Sequence, residues 1–417
     1  MIKKLLKILI IISLVGCTSM DPPTNLIDST EEELLNRIYQ GYDNFEKEIT
    51  VTDINIIDNE YNISIILDLI SDEALSKYYY ADVFDTLTFT SYQKSERLAT
   101  IELPYQYMNG EEIDIEKSKK IQNDTEEQLD EIVAKLSPEM NDVEKILFLH
   151  DYLVTTTQYD SSPYEISISK DSNFTIQGTL NTHQTMCSGY TITLFRLLEK
   201  AGIKATMISS SEMEHTWLAV EIDNQWYHID PTWDDTTYND YPDEDKSIDG
   251  LALHDYFLIS DDTILKDHKT WDEKNIVAKD SYYEDNQIFS HNDSKMNYYN
   301  GYWYYTQPNK NGGYKDSKYI YYTYTYDDVI TKSKIDGSEL STIDLDTDIK
   351  QLLSNENKLY FFNNNKVYSY NIDTEEKEEI LVLDNENIII EIGLIDQNLK
   401  ITYQDNNYEF KYLSIII

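Results

Sequence analysis

The sequence predicts an α+β protein with three folded regions: a small mixed α/β region, a helix-and-sheet core, and an all-β repeat. Two observations carry this reading. An amphipathic helix opening at Cys187 is followed by a strand–turn–strand signal from His215 to Asp230. From about Tyr282 onward helical periodicity disappears, and short aromatic strands alternate with Asn, Asp and Gly turns. The expected boundaries are a signal peptide at 1–16, a tether at 17–30, the α/β region at 31–125, the core at 126–280 and the β-repeat at 281–417.

A chain of 417 residues, 41% of them hydrophobic, is long and apolar enough for two to three packed domains. The formal charge is −43, and beyond the N-terminus the only basic cluster is Lys117 to Lys120. Nucleic-acid binding needs a positive footprint, so that class of partner is excluded.

The N-terminus reads as a targeting segment. Lys3, Lys4 and Lys7 precede an apolar run from Ile8 to Val15, too short for an ordinary membrane span. Leu14-Val15-Gly16-Cys17 resembles a bacterial lipobox. That resemblance implies lipid on Cys17 and attachment to the extracytoplasmic face of the cell membrane, with Thr18 to Thr30 as a polar tether. The chain has two cysteines, so a lipidated Cys17 leaves Cys187 without an intramolecular disulfide partner. A lone thiol in an exported protein is either buried and inert or a candidate nucleophile.

Residues 31–125 combine helical spacing from Glu31 to Phe45 with strand-like stretches at Ile49 to Leu69, Leu87 to Thr90 and Ala99 to Leu103. A helix is expected over Thr125 to Leu136, stopping before Pro138. A second is expected over Asn141 to Tyr152, where Asn141 and Glu144 have the spacing of a capping box. His150 and Asp151 near its end read as groups satisfying local backbone and loop atoms rather than as catalysts.

Cys187 sits where a polar turn gives way to Tyr190, Leu194, Leu197 and Leu198, one face of a helix that Gly202 stops. Free backbone N–H groups and the helix dipole at such a terminus favour a thiolate. A strand at Ile203 to Ile208 follows, then a second from His215 to Ile222, a tight turn at Asp223-Asn224, and a third from Gln225 to Asp230. A two-residue turn pairs Ile222 with Gln225 and sets Trp217 opposite Asp230. His215 then becomes a diagonal neighbour of Asp230 on one face. A thiol, a base and a carboxylate to hold the base make a candidate Cys–His–Asp site.

Four segments now carry a family resemblance: Phe148-Leu149-His150-Asp151-Tyr152, Met186-Cys187-Ser188-Gly189-Tyr190, His215-Thr216-Trp217 and His228-Ile229-Asp230-Pro231-Thr232-Trp233-Asp234. In this order they resemble the transglutaminase-like superfamily, over about residues 126–280 and including His254 to Leu258. The resemblance implies a papain-like core with Cys187 as nucleophile on a helix and His215 and Asp230 on neighbouring strands. It implies a protein or peptide substrate and no cofactor. The Cys187 backbone N–H is the expected oxyanion donor, with Gln184 and Asn181 as candidates for the second.

Other polar residues read less sharply. Trp217, Trp233 and Trp271 are expected to be scaffold aromatics. His183 and His228 lack the spacing to join Cys187 in a zinc site. Asp245 to Gly250 has the form of half a calcium loop, but Tyr256 stands where the bidentate Glu belongs.

In the C-terminal region thirteen tyrosines fall between Tyr282 and Tyr326. Strands are expected at Tyr302 to Tyr305, Tyr319 to Tyr326, Lys358 to Phe362, Val367 to Asn371 and Leu399 to Tyr403. Asn300-Gly301, Asn357 and Asn398 precede three of them, and Lys334 to Ser338 reads as an outer turn. The repetition resembles incomplete β-propeller blades, too few for a closed propeller. Such a region could bind a cell-wall or surface ligand. The competing reading of these strands is packed sheet faces. A second functional class, a non-catalytic surface-binding lipoprotein, would use the β-repeat region for recognition.

Overall fold

The protein is described by a computed structural model over residues 31–52, 76–79, 88–93, 98–105, 112–160, 174–235, 251–271, 276–284, 288–290, 292, 295–307, 329–395 and 397–417. Contacts divide the chain into two compact units, residues 1–130 with 163–180, and residues 131–162 with 181–417. The expected calcium half-loop, the lipobox and the strand at Tyr319 to Tyr326 lie outside the described residues.

In the first unit, helix α1 (Glu31–Asp43) buries Leu34, Ile38 and Tyr42, the stripe its spacing predicts. Strands β1 (Glu48–Thr52), β2 (Thr88–Gln93) and β3 (Leu98–Glu102) form an antiparallel sheet in the order β1-β3-β2. Helix α2 spans Ile115–Val133 and so starts ten residues before the expected Thr125. Its first turns are almost wholly polar and show no apolar period. They are held instead by Asp114, whose carboxylate accepts from the Lys117 N–H at 2.7 Å, and by the pairs Lys119–Glu116 and Lys120–Asp124. The lysine run is thus a solvated helix face.

The second unit opens with α3 (Asp142–Thr156), which carries the predicted capping box. Asn141 accepts from the Glu144 N–H, and Glu144 accepts from the Asn141 N–H, both at 3.0 Å. Short strands β4 (Gln158–Tyr159) and β5 (Gln184–Thr185) pair in parallel just before α4 (Cys187–Lys200). Tyr190, Leu194, Leu197 and Leu198 of α4 are fully buried, each worth about 1.5–3 kcal/mol of apolar burial where the side chain is aliphatic. The helix ends in a Schellman motif. Gly202 takes φ +79°, its N–H donates to the Glu199 carbonyl, and the Ile203 N–H reaches back to the Leu198 carbonyl.

Strands β6 (Ala205–Ser210), β7 (His215–Ile222), β8 (Gln225–Ile229) and β9 (Phe257–Ile259) follow as an antiparallel sheet in chain order, with α4 packed along β6 and β7. The β7–β8 turn is as predicted. Asp223 and Asn224 both take positive φ, and Ile222 pairs with Gln225. A short helix, α5 (Asp261–Ile264), follows β9.

Beyond it lie three antiparallel meanders. They are β10 (Asn297–Tyr299), β11 (Tyr302–Gln307), β12 (Val329–Ser333) and β13 (Ser341–Ile343), then β14 (Lys350–Asn355), β15 (Lys358–Asn363), β16 (Lys366–Asn371) and β17 (Glu376–Val382), then β18 (Ile388–Ile395), β19 (Asn398–Gln404) and β20 (Phe410–Ile416). The repeated asparagines mark one structural position. Asn300-Gly301, Asn357 and Asn398 lie at the hairpin joining the first and second strands of each sheet. Apolar faces of successive sheets pack together, Tyr304 and Ile330 with Leu359 and Phe361, and Leu353 and Tyr360 with Ile392 and Ile401. No closed propeller forms among the described residues. The meanders are bolted to α3, because the Trp303 indole N–H donates to Glu144 at 2.9 Å in a buried contact. No described helix is long and apolar enough to cross a membrane.

Candidate active site

Cys187 is the first residue of α4 and is half-buried. Its helix can begin this close to β5 because residue 189 is glycine. A Cβ there would lie 1.8 Å from the Thr185 hydroxyl oxygen, well inside van der Waals contact. The Met-Cys-Ser-Gly-Tyr order therefore has a packing reason as well as a chemical one.

His215, at the start of β7, reaches both other members of the predicted set. Its Nε2 lies 2.6 Å from Asp230 Oδ2, and the Cys187 side chain is near enough to act on the ring electrostatically. With Nε2 committed to the carboxylate, Nδ1 is the nitrogen left to face sulfur. Burial alone would lower the proton affinity of this ring. The charge and hydrogen bond of Asp230 outweigh that, with Cys187 adding, and the pKa is pushed up to about 10.

Asp230 follows β8 and is fully buried. Its Oδ1 accepts from the backbone N–H groups of Thr232 and Trp233 at 3.0 and 3.3 Å, so the Asp-Pro-Thr-Trp turn fixes the carboxylate. Burial favours the neutral acid. It is overcome by His215 and by a second imidazole, and the group is held well below the usual carboxylate range.

That second imidazole is His268, which the sequence reading missed. Its Nε2 lies 2.9 Å from the same Asp230 Oδ2, and its Nδ1 lies 2.9 Å from Asp267 Oδ1. The other Asp267 oxygen accepts from the Tyr256 hydroxyl at 2.5 Å. Trp233 covers the rings, with centroids 4.1 Å from His268 and 5.9 Å from His215, while Trp217 lies 5.8 Å from His215 and 5.1 Å from His268. These tryptophans shield the imidazoles from water, a more specific task than general scaffolding. The signal for His268 was weak. It stands 38 residues after Asp230, beyond β9 and α5, with no periodic relation to the triad.

A second histidine cluster lies apart. His150 Nδ1 is 3.0 Å from Asp151 and its Nε2 is 3.1 Å from Asp234. His254 Nε2 is 2.9 Å from Asp151, and its Nδ1 donates to the Asn292 carbonyl at 2.7 Å. The second Asp151 oxygen accepts from the Met296 N–H at 2.6 Å, tying α3 to the edge of the first meander. His150 and Asp151 thus join distant elements rather than satisfying neighbouring loop atoms. Both nitrogens of each ring face acceptors, so both rings are imidazolium donors. Burial opposes that charge on His150, but Asp151 and Asp234 raise its pKa to about 9. His150, Asp151 and His254 have the spacing of metal ligands, as do His215, Asp230 and His268. The nitrogens of the first group that a metal would need are already spent as donors.

His228 is a neutral scaffold ring. Its Nδ1 accepts from the Trp217 indole at 3.1 Å, so its Nε2 donates to Asp261 at 2.9 Å, and burial lowers its pKa. His183 lies in the turn before β5 with positive φ. Gln184 and Asn181 are exposed on the segment leading to Cys187.

Residues 130–231 match the family model described as the transglutaminase-like superfamily. That segment forms a transglutaminase-like domain. It contains Cys187, His215 and Asp230, while His254 and His268 lie beyond its end. The chain is 24% identical over 199 residues to kyphoscoliosis peptidase of Homo sapiens, and 24% identical over 203 residues to the protein of that name in Mus musculus. Each match covers 40% of this chain and 29% of the relative, so the chain spans under a third of either relative's length. Among solved structures it overlaps a crystal structure of a TGase at 15% identity, over 52% of this chain and 60% of the other, with a TM-score of 0.22.

Proposed function

We propose that this chain is a surface-anchored thiol enzyme that acts on glutamine carboxamide or peptide bonds through Cys187, His215 and Asp230. One observation carries the reading: His215 is held 2.6 Å from buried Asp230, and a cysteine at a helix N-terminus acts on the same ring. In the reaction the Cys187 proton already rides on the His215 ring, and the sulfur attacks the carbonyl carbon. The C–N bond breaks, the leaving ammonia or amine takes the proton from His215, and a thioester remains. Water or a second amine then attacks the thioester, giving its proton to His215 and freeing the sulfur. Asp230 holds the ring and balances its charge throughout. The Cys187 N–H, at the positive end of α4, is the first oxyanion donor.

The lipobox-like Leu14 to Cys17 supports attachment of the enzyme to the extracytoplasmic face of the membrane. The Cys17→Ser variant is expected to lose membrane retention; unchanged partition into a detergent phase would overturn the anchor. We assign the meanders a substrate- or wall-facing role beside the enzyme, with their aromatic strands as incomplete propeller blades.

A glutamine-containing peptide library, with and without a labelled primary amine, tests the chemistry. Amine incorporation identifies transfer, a gain of about one mass unit identifies deamidation, and chain cuts identify proteolysis. Absence of all three products from protein with an intact Cys187 thiol would reject the enzyme reading and favour a binding protein.

A further inference from the structure

We infer that His268 is a positioning residue of the catalytic set, a fixed imidazolium that shares the Asp230 carboxylate with His215 and limits how tightly His215 holds its proton. The inference rests on the Cys187–His215 reading above. Its basis is geometric. Both imidazole Nε2 atoms converge on the single oxygen Asp230 Oδ2, at 2.6 and 2.9 Å. A neutral histidine has one N–H, yet both His268 nitrogens face carboxylate oxygens, Asp230 on one side and Asp267 on the other. Only the doubly protonated ring satisfies both contacts. In agreement, burial works against the charge on His268, the two carboxylates overcome it, and its pKa is raised.

A cation at this place acts on His215 in two ways with the same sign. It donates a competing hydrogen bond to the acceptor that stabilises the His215 imidazolium, and it repels that imidazolium at a ring separation of 5.7 Å. His215 faces Cys187, Asp230 and His268, while His268 faces Asp230 and Asp267, with the Tyr256 hydroxyl behind Asp267 and the Asp234 backbone tied to Asp230. Trp217 and Trp233 close the remaining sides. A carboxylate serving one imidazole alone would make His215 a poor proton donor to the leaving amine. Sharing Asp230 brings its proton affinity back toward the working range.

The test reads the His215 ring directly, by NMR titration of ring-labelled histidine in the full chain, with the resonance assigned by its loss in His215→Gln. In the wild type the midpoint is expected near pH 10, where Asp230 holds the ring charged. The His268→Gln variant removes the cation while keeping an amide donor, and its His215 midpoint is expected to rise by about one pH unit. Asp267→Asn weakens the hold on the His268 proton from a half-exposed position, which protects the fold. It is expected to shift the midpoint the same way by less. An unchanged or lowered midpoint in both variants would overturn the inference, even if activity or melting temperature fell. Because the readout is not turnover, failure of the peptide assays with a raised midpoint here would remove the proposed reaction and leave the coupling intact.

Discussion

The molecule contains two clusters built from the same parts. His150, Asp151, His254 and Asp234 form one; His215, Asp230, His268 and Asp267 form the other. Each has imidazoles converging on a shared aspartate oxygen, at hydrogen-bond distances that differ little. What separates them is access. The first cluster is buried throughout, and every ring nitrogen is spent on a carboxylate or a carbonyl. The second leaves one His215 nitrogen for Cys187, which is half-buried at a helix start. A charged lattice whose nitrogens are all spent is a structural joint, while the same lattice with one nitrogen facing a nucleophile is a candidate for chemistry.

Breaking the two aspartates separates these roles most strongly. Asp230→Asn is expected to cost about 10⁴-fold in turnover, since the amide can no longer balance the His215 imidazolium. Cys187→Ala is expected to abolish turnover while leaving the melting temperature within a few degrees, because the side chain is only half-buried. Asp151→Asn should do the reverse. Leaving two buried imidazoles short of their shared anion is expected to cost about 3–5 kcal/mol in denaturant unfolding, with kcat per folded molecule unchanged. A kcat loss in Asp151→Asn as large as in Asp230→Asn would erase the distinction.

Alkaline pH sharpens the contrast. His150 and His215 both have folded pKa values above the ordinary value of about 6.5, so each contributes stability in full below that pH. The contribution then declines and is gone by about pH 9 for His150 and about pH 10 for His215. Melting temperature is therefore expected to fall between about pH 6.5 and about pH 10, and His150→Gln should flatten the part below about pH 9. A wild-type melting temperature constant across that range would show that neither ring is held as a cation. The smallest effect expected is at the joint with the meanders, where Trp303→Phe removes the hydrogen bond to Glu144. The cost should be about 1.5–3 kcal/mol, with no change in the pH profile of the active cluster.

The parts legible in the sequence were those with local periodicity or turn chemistry. The α4 stripe, the Asp223-Asn224 hairpin and the capping box of α3 each follow from residues within one or two turns of chain, and their registers placed His215 beside Asp230. The repeated asparagines correctly marked one hairpin in each meander. The parts not legible depend on long-range contact. The first turns of α2 are stabilised by a cap and ion pairs rather than by an apolar face. His268 and His254 meet their aspartates from 38 and 103 residues away, and no spacing rule links them.

The central claim, that His215 activates Cys187, is most directly tested by alkylation of Cys187 across pH, read on its peptide by mass spectrometry in wild type and in His215→Gln. The account predicts that near neutral pH the wild type reacts at least about tenfold faster than the variant. Superimposed curves from two folded proteins would contradict it.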